Sequence, residues 1–386
     1  MGLILVLLFA AAMNLRSMLF YLIFIAFFLF AIKPNVKLRI DASVGFLLVL
    51  ALSWGVFSPT AAGSIFGLVR SFTYLLCYVM GAGLFDDTAK KPEENTPYKL
   101  FYILVVTLAL GTLAHYLLNW SINVDTVERE TLDFWTGEEM AATGQAALAC
   151  LPLGAAISFL FTKQNKWVKI ASVATVVLIL LYNFVLAGRT LFVMTIIIAG
   201  IALLHRMKTQ KSGNIRLVAI ILAIILLVLF MYQANLFGIR DYIEDSPLYD
   251  RFFAKDSTKE LDDDARMDRK LFYLDNMDMS FLGGAHIREE IGYAHDIFLD
   301  TYDEAGIVAF VAVVGYMILS VRRFIRCMKD KSLPFAFKNM VLCIYAIVYI
   351  EFMIEPILMG AQWLFAAFCL IDGYVEKVLS HSRTTK

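Results

Sequence analysis

The sequence predicts an all-α membrane protein, a bundle of about twelve helices that cross the bilayer. The 386-residue chain is 60% hydrophobic with a mean hydropathy of +0.71, whereas soluble domains are about 45–50% apolar. The excess lies in runs of about 17–22 residues, the length that a helix needs to cross a hydrocarbon core of about 30 Å. These runs do not alternate apolar and polar side chains, as the strands of a membrane β-barrel would.

Helices are the expected form of each run, because a backbone in lipid has to satisfy its hydrogen bonds within its own segment. The spans are predicted at about residues 1–13, 17–33, 42–58, 64–84, 99–119, 143–162, 168–187, 190–205, 217–236, 304–322, 337–353 and 358–376.

The connectors between these runs predict the orientation. Six segments hold 22 of the 34 Lys and Arg residues, and all six fall on one side if the spans alternate. The positive-inside rule places that side in the cytoplasm, so both termini are expected there and the protein in the cytoplasmic (inner) membrane. The six segments are 33–39, 85–99, 162–169, 205–216, 322–338 and the tail 376–386.

The polar segments divide the chain into three parts: an N-terminal bundle of about nine spans (1–236), a large outer loop (237–303), and C-terminal spans with a cytoplasmic tail (304–386). A loop this long in a compact protein is usually functional or disordered. Its scattered aromatic residues favour partial folding, as short helices over the outer mouth of the bundle.

No metal or cofactor site is expected. The five cysteines form no CxxC pair, which argues against a zinc site or a disulfide framework. The acidic run DSTKELDDDARMD at 256–268 is interpreted as a solvated face rather than as a site for Mg²⁺ or Ca²⁺.

Four arginines are candidates for binding phosphate, because a guanidinium offers a fork of donors that matches phosphate oxygens. Arg189 lies in LAGRTLF, between two spans with almost no loop, where a charge is costly and usually faces a cavity or a partner. Arg70 lies near the outer end of its span, and Arg266 and Arg269 lie in the acidic loop. The alternatives are snorkelling to lipid headgroups for Arg189 and Arg70, and a solvated surface charge for the other two.

His295 stands in YAHDIFLDTYDEAG, where the outer loop re-enters the membrane. A lone histidine is more often structural than catalytic, but here Asp296 follows it directly and Asp300, Asp303 and Glu304 follow at roughly helical spacing. Nearby carboxylates favour the protonated imidazole and can prepare it for general base catalysis near neutral pH. His295 is therefore a candidate catalytic base.

Glu355, in FMIEPILMGAQW, marks the short outer turn before the last span. Its carboxylate could bind a sugar or cap a helix, and the cap is favoured. Together, outward arginines, a histidine and carboxylates beside lipid-embedded spans suit a lipid-linked diphosphate donor and a hydroxyl acceptor.

The order of these motifs resembles the superfamily of O-antigen polymerases and O-antigen ligases, which are membrane glycosyltransferases. The resemblance rests on GRT between two close spans, one long outer loop with an arginine, and SFLGGAHIREEIGYAHDIFLDTYDEAGIVAF after it. It covers about residues 182–320 and the general pattern of spans.

The resemblance implies a GT-C-like bundle and metal-independent, inverting transfer from an undecaprenyl diphosphate donor. Arg189 and Arg266 would contact the diphosphate, and His295 would activate the acceptor. From the residues themselves, Arg70 is a further candidate for binding the diphosphate, and Asp296, Glu304, Arg269 and Glu355 are candidates to support the base or contact the acceptor. The family usually has Asn after this histidine, whereas this chain has Asp296, which could pair with His295 or only conserve shape.

The function expected is that of a polysaccharide polymerase for O-antigen or capsule repeat units, with its active site on the outer face. A ligase that passes finished glycan to lipid A core shares the donor chemistry, and this sequence does not distinguish the two. A twelve-span transporter or lipid-linked oligosaccharide flippase fits the span count, but such transporters often show related halves, and none is evident. Partners expected are membrane lipids and a chain-length regulator and flippase of the same pathway, with no role for nucleic acid.

Overall fold

The structure is a computed structural model that describes residues 2–14, 41–61, 65–89, 96–123, 130–210, 226–227, 229–253 and 262–384. Over these residues the chain is a helical protein with one short β-hairpin, which confirms the predicted all-α class. The helices are α1 (Gly2–Ala12), α2 (Ala42–Phe57), α3 (Ile65–Ser71), α4 (Thr73–Ala89), α5 (Thr96–Ile122), α6 (Ala142–Phe161), α7 (Lys166–Val185), α8 (Thr190–Thr209), α9 (Ile239–Glu244), α10 (Pro247–Phe253), α11 (Asp262–Asp275), α12 (His286–Ile291), α13 (Ile297–Lys329), α14 (Phe335–Phe352), α15 (Ile357–Gly360) and α16 (Gln362–Thr384).

Six of the described helices, α5 to α8 with α13 and α14, are long and apolar enough to cross a membrane. The chain is therefore membrane-embedded, as predicted. The predicted count of twelve spans stays a prediction, because span 17–33 and much of span 217–236 lie outside the described residues.

Three predicted spans have a different shape in the structure. The single span 64–84 was wrong: it is two helices, α3 and α4, separated at Phe72. The span 358–376 is likewise divided at Ala361, whose backbone is not helical. Helix α13 begins at Ile297, earlier than predicted from hydropathy, because its first turns carry carboxylates that the preceding loop satisfies.

Helices α4 and α16 pack closely along their lengths because glycines lie where they cross. A β-carbon on Gly81 would stand 1.9 Å from the carbonyl oxygen of Leu370, and one on Gly373 would stand 2.1 Å from that of Tyr78. Small residues at such crossings let two backbones approach in lipid, where no hydrophobic force drives helices together.

The predicted outer loop contains four short helices, α9 to α12, and joins one end of the bundle, hereafter the loop end. The hydroxyl of Ser58, just after α2, donates to Glu304 near the start of α13 at 2.5 Å. The turn after α14 also lies at this end, because the side chain of Lys270 in α11 donates to the carbonyl of Met353 at 3.1 Å.

A β-hairpin precedes α6, in the connector between the predicted spans 99–119 and 143–162. Its strands are β1 (Glu130–Leu132) and β2 (Glu139–Ala141), paired antiparallel. The buried ring of His115 in α5 lies 2.7 Å, Nε2 to Oδ2, from Asp133 in the hairpin turn. The other oxygen of Asp133 accepts the backbone N–H of Trp135 and of Thr136, so one carboxylate closes the turn and fastens it to α5.

A buried ion pair joins α13 and α16 at the opposite end of the bundle. Both Arg323 Nε and Arg323 Nη2 donate to Asp372. The hydroxyls of Tyr316, Ser320 and Tyr345 also donate to that carboxylate. Arg323 was counted among the basic residues of connector 322–338, and the structure buries it inside the bundle, where it is only 3% exposed.

Asp372→Ala should destabilise the protein strongly, because it leaves the guanidinium of Arg323 buried and uncompensated. Breaking one side of a buried pair costs about 3–5 kcal/mol. The control is Glu376→Ala, which removes the partner of Arg326 in a partly exposed pair and should cost at most about 1 kcal/mol. Thermal unfolding of both variants in detergent checks this, and equal midpoints would contradict it.

Candidate active site

Helix α11 directs three basic side chains at the turn after α14 and at His295. Arg266 Nη2 lies 3.5 Å from Glu355 Oε1, and Lys270 Nζ donates to the carbonyl of Met353. Arg269 Nη1 lies 3.4 Å from His295 Nε2. Residues at positions i, i+3 and i+4 share one face of a helix, so the local fold of α11 alone brings the three cations together.

The backbone of His295 is in the left-handed region, with φ of +59°. This conformation is uncommon for a residue other than glycine. It is held by Asp300, whose buried carboxylate accepts the N–H of Ala294 at 2.8 Å and of Asp296 at 3.1 Å, one from each side of the histidine. Strained conformations of this kind concentrate at functional sites, and this one directs the ring towards α11.

The ring of His295 lies between a cation and a carboxylate. Its Nε2 faces Arg269, and its Nδ1 lies 3.7 Å from Glu355 Oε2. A guanidinium only donates, so the neutral ring that suits this arrangement carries its proton on Nδ1, towards Glu355, and a lone pair on Nε2. That tautomer is the one able to accept a proton at Nε2.

Neither contact of the ring is a short hydrogen bond. A distance of 3.7 Å exceeds hydrogen-bond range, and Nδ1 of His295 is buried without a hydrogen-bond partner among the described residues. Catalytic hydrogen bonds are often long in a free enzyme and shorten when the substrate is bound, so this geometry suits a base that awaits its substrate.

Glu355 has a different role from the one favoured in the sequence analysis. The interpretation as a helix cap was wrong, since α15 has no side-chain cap. Instead the carboxylate is 4% exposed and lies between Arg266 and His295. Proline follows it and cannot continue the ladder of α14, so the chain turns here and presents Glu355 to the loop.

Glu351, one helical turn before Glu355, was missed from the sequence. It is fully buried beside the thiol of Cys150 of α6, a weak donor, and no strong hydrogen-bond donor among the described residues reaches its carboxylate. Arg266 is the cation whose charge reaches it. The sequence did carry a signal for Glu351, because it is an ionisable residue inside the apolar run IVYIEF. Such a residue marks a functional site by default.

Asp296 does not pair with the histidine that it follows. Its Oδ1 accepts the N–H of Phe298 and of Leu299, as the N-cap of α13, and its Oδ2 lies 3.4 Å from Lys270 Nζ. Of the two alternatives left open for Asp296, its contacts do not include a pairing with His295. The carboxylate that faces the ring is Glu355.

Glu304 holds the loop to the bundle. Its carboxylate accepts from Arg288 Nη1 at 2.6 Å and from the hydroxyls of Ser58 and Thr60 at 2.5 and 2.9 Å. These contacts are made by loop and helix-end residues of the protein itself. A direct role of Glu304 towards an acceptor stays a prediction.

Two other groups strengthen the same loop. Asp303 accepts the N–H of Ile287 and of Arg288, and so fixes α12. Tyr273 of α11 donates to the carbonyl of Gly292 at 2.8 Å. Burial raises the pKa of the Tyr273 hydroxyl well above its ordinary value, so the group stays a donor at all physiological pH.

Arg189 lies at the loop end of the bundle. Near the C-terminus of α8 the ring of His205 stacks on Phe335, the first residue of α14. The two helices therefore run in opposite directions, and the N-terminus of α8, where Arg189 lies, is at the same end of the bundle as the C-terminus of α14. The backbone before Arg189 is tight, because a β-carbon on Gly188 would stand 2.3 Å from Asn183 Oδ1. The contacts described above around His295 are made by other residues, and the grouping of Arg189 with them stays a prediction.

Arg70 lies in the last turn of α3, with its side chain exposed. It comes before α4 in the chain and is not among the residues whose contacts surround His295. Its predicted role at a diphosphate likewise stays a prediction.

Comparison with known protein families finds no family model that matches this chain, and no curated protein matches it.

Gly306→Ala should displace the loop that carries His295. Gly306 has φ of +80° and ψ of −177°, a region that is essentially restricted to glycine, and strain of this kind costs about 1–3 kcal/mol. A β-carbon there would also stand 2.6 Å from the carbonyl carbon of Leu282. Thermal unfolding should show a clear loss of stability.

The matched control is Gly200→Ala in α8, where a β-carbon meets nothing within 4 Å. This variant should be as stable as the parent or slightly more stable, because alanine is favoured over glycine inside a helix. An unchanged midpoint for Gly306→Ala would contradict the role given to this glycine.

Proposed function

We propose that the protein is a membrane glycosyltransferase, a polysaccharide polymerase that moves a growing glycan from undecaprenyl diphosphate to a lipid-linked repeat unit. The observation that carries the proposal is the cluster of Arg266, Arg269, His295 and Glu355 at one end of an apolar bundle. Cations for a diphosphate and a base for a hydroxyl lie within one small region, beside helices that are apolar enough to hold a polyprenyl chain.

In the proposed reaction, His295 Nε2 takes the proton of the acceptor hydroxyl. The hydroxyl oxygen then forms a bond to the anomeric carbon of the donor, and the bond from that carbon to the diphosphate oxygen breaks. A single displacement of this kind inverts the anomeric centre. The departing diphosphate gains charge, which Arg266, Arg269 and Lys270 stabilise as preorganised cations.

Binding of the donor would also release the base. In the free protein Arg269 lies against Nε2 of His295 at a long 3.4 Å. A diphosphate offers this guanidinium a charged, bidentate partner that is much stronger than an imidazole nitrogen. Movement of Arg269 to the diphosphate uncovers the lone pair of Nε2, so the base is available once the donor is bound.

Glu355 positions the imidazole in this scheme. A carboxylate beside Nδ1 stabilises the tautomer with its proton on that nitrogen and the imidazolium that forms during the reaction, as the acid of a catalytic triad does. Arg189, at the same end of the bundle, would add a further donor to the diphosphate.

The proposal places the site on the outer face of the cytoplasmic membrane, with both termini in the cytoplasm, as the distribution of Lys and Arg indicates. The protein would then work with a flippase that delivers the lipid-linked units and with a chain-length regulator.

His295→Ala and Arg266→Ala, each expressed in a strain that lacks the native gene, should abolish the polymer ladder on a gel of the surface polysaccharide. Loss of a general base lowers rates by about 10²–10⁴-fold. The matched control is Arg240→Ala, an exposed arginine of the same loop, which should leave the ladder intact at an equal level of membrane protein.

The form of the failure separates two activities. Single repeat units on lipid A core, without longer chains, are the result expected for a polymerase. Full-length polymer that remains on undecaprenyl diphosphate, with bare lipid A core, would instead identify a ligase. Normal ladders from well-expressed variants would overturn the catalytic assignment.

Glu355→Gln should lower polymerisation without unfolding the protein, because it keeps the shape of the side chain and removes the charge beside Nδ1. The control is Glu290→Gln, an exposed carboxyl of α12, which should behave like the parent. The measurement is the ladder together with the thermal midpoint. A normal ladder from Glu355→Gln would exclude the positioning role.

A further inference from the structure

Helix α11 has three sectors around its axis. Arg266, Arg269 and Lys270 face the candidate active site, as described above. Met267, Leu271 and Leu274 form an apolar row at positions i, i+4 and i+7, about 100° further round the helix, and each is at least half exposed. Beyond this row lie the exposed carboxylates Asp268 and Asp275.

The apolar row continues into the turn that follows α11. Met279, Phe281 and Leu282 are all exposed, the last two more than half. Together with the row on the helix they form what is here termed the apolar stripe: Met267, Leu271, Leu274, Met279, Phe281 and Leu282. An exposed patch of this kind on a protein marks a surface that another apolar phase or partner covers.

One backbone contact shows where the apolar stripe lies relative to helix α13. The carbonyl of Phe281 accepts the N–H of Ile307 at 3.0 Å, just after the break at Gly306. From this point α13 is an apolar helix that exposes Val308 and Val311 on one side. The stripe is therefore continuous with the surface of a helix that is suited to cross the bilayer.

We infer that the apolar stripe lies in the boundary between headgroups and hydrocarbon of the surrounding membrane. Helix α11 would then rest along the membrane surface, in the manner of interfacial amphipathic helices. Its apolar sector faces the lipid, its acidic sector faces water, and its basic sector faces the bundle. The inference depends on exposure and continuity alone and does not require the proposed enzymatic activity.

The membrane is favoured over a second copy of the chain or a separate protein as the occupant of this surface. The stripe joins a helix surface that already has to meet lipid, and the acidic residues lie on the side of α11 away from the bundle, where water is. A lipid-linked donor would occupy this surface only during turnover, whereas exposed apolar side chains have to be shielded from water at all times.

The experiment measures contact with lipid at two adjacent positions of α11. Leu274→Cys and Asp275→Cys place one thiol in the apolar sector and one in the acidic sector, about 100° apart. The five native cysteines are buried, so an environment-sensitive NBD fluorophore attaches to the introduced, exposed thiol. Each labelled protein is reconstituted into phosphatidylcholine vesicles with and without lipid that carries a doxyl quencher near the headgroup.

The expected result is blue-shifted emission at position 274 and doxyl quenching at least about twofold greater than at position 275. Met267→Cys and Asp268→Cys, exposed neighbours in the same apolar and acidic sectors of α11, form a second pair with the same expectation, should one variant of the first pair fold poorly. Water-like emission at 274, or equal quenching within both pairs, would overturn the inference. Blue-shifted emission at 274 without quenching would also overturn it, because a protein surface would then cover the stripe.

Discussion

The position of His295 depends on carboxylates at the beginning of α13 that accept hydrogen bonds from the loop before it. Asp300 binds the N–H groups on both sides of the histidine, Asp303 binds two N–H groups of α12, and Glu304 binds Arg288 and the end of α2. Each is buried. Burial of an unpaired carboxylate is costly, so these hydrogen bonds make the loop and the helix stabilise one another. A non-regular segment is thereby held in place at the loop end of the bundle.

Two buried charge clusters in this protein illustrate different uses of the same physics. Around Asp372 the hydroxyls of Tyr316, Ser320 and Tyr345 and the guanidinium of Arg323 donate, so both charges are satisfied. Around Glu351 and Glu355, Arg266 lies 3.5 Å from Glu355 and its charge also acts on Glu351. Beside the carboxylate of Glu351 the described residues place only the weak thiol donor of Cys150. A satisfied network rigidifies a core, whereas an incompletely satisfied one is costly and is retained where function requires it. The first cluster therefore belongs to stability and the second to the site.

Hydropathy was sufficient to place most of the described spans. The length and apolar composition of a span can be read from that segment alone, without knowledge of what it packs against. Motif order singled out Arg266 and His295, and Arg269 was a candidate from its place in the loop. The structure places all three at the loop end of the bundle, and their roles in catalysis stay predictions. What the sequence could not provide was the partner of each group. Glu355 looked like a cap because only its own turn was visible, and its place beside His295 depends on how α11 lies across the end of α14. The pairing of Arg323 with Asp372 joins positions 49 residues apart and has no local signal.

The arrangement of α11 connects the two proposals through geometry. The helix turns its basic sector to the histidine and its apolar sector sideways, so a molecule with a charged head and an apolar tail could follow both sectors without crossing a polar barrier. The cations are the long side chains of Arg266, Arg269 and Lys270. Their present contacts, at 3.1–3.5 Å, are with backbone carbonyls, the carboxylates of Glu355 and Asp296, and an imidazole nitrogen. A diphosphate would replace these by shorter charge-assisted bonds. When Arg266 moves from Glu355 to the diphosphate, the carboxylate loses its positive partner. Protonation of His295 during the reaction then places a new positive charge on the other side of the same carboxylate. This exchange of cations beside Glu355 would make protonation of His295 favourable only after the glycan donor is bound.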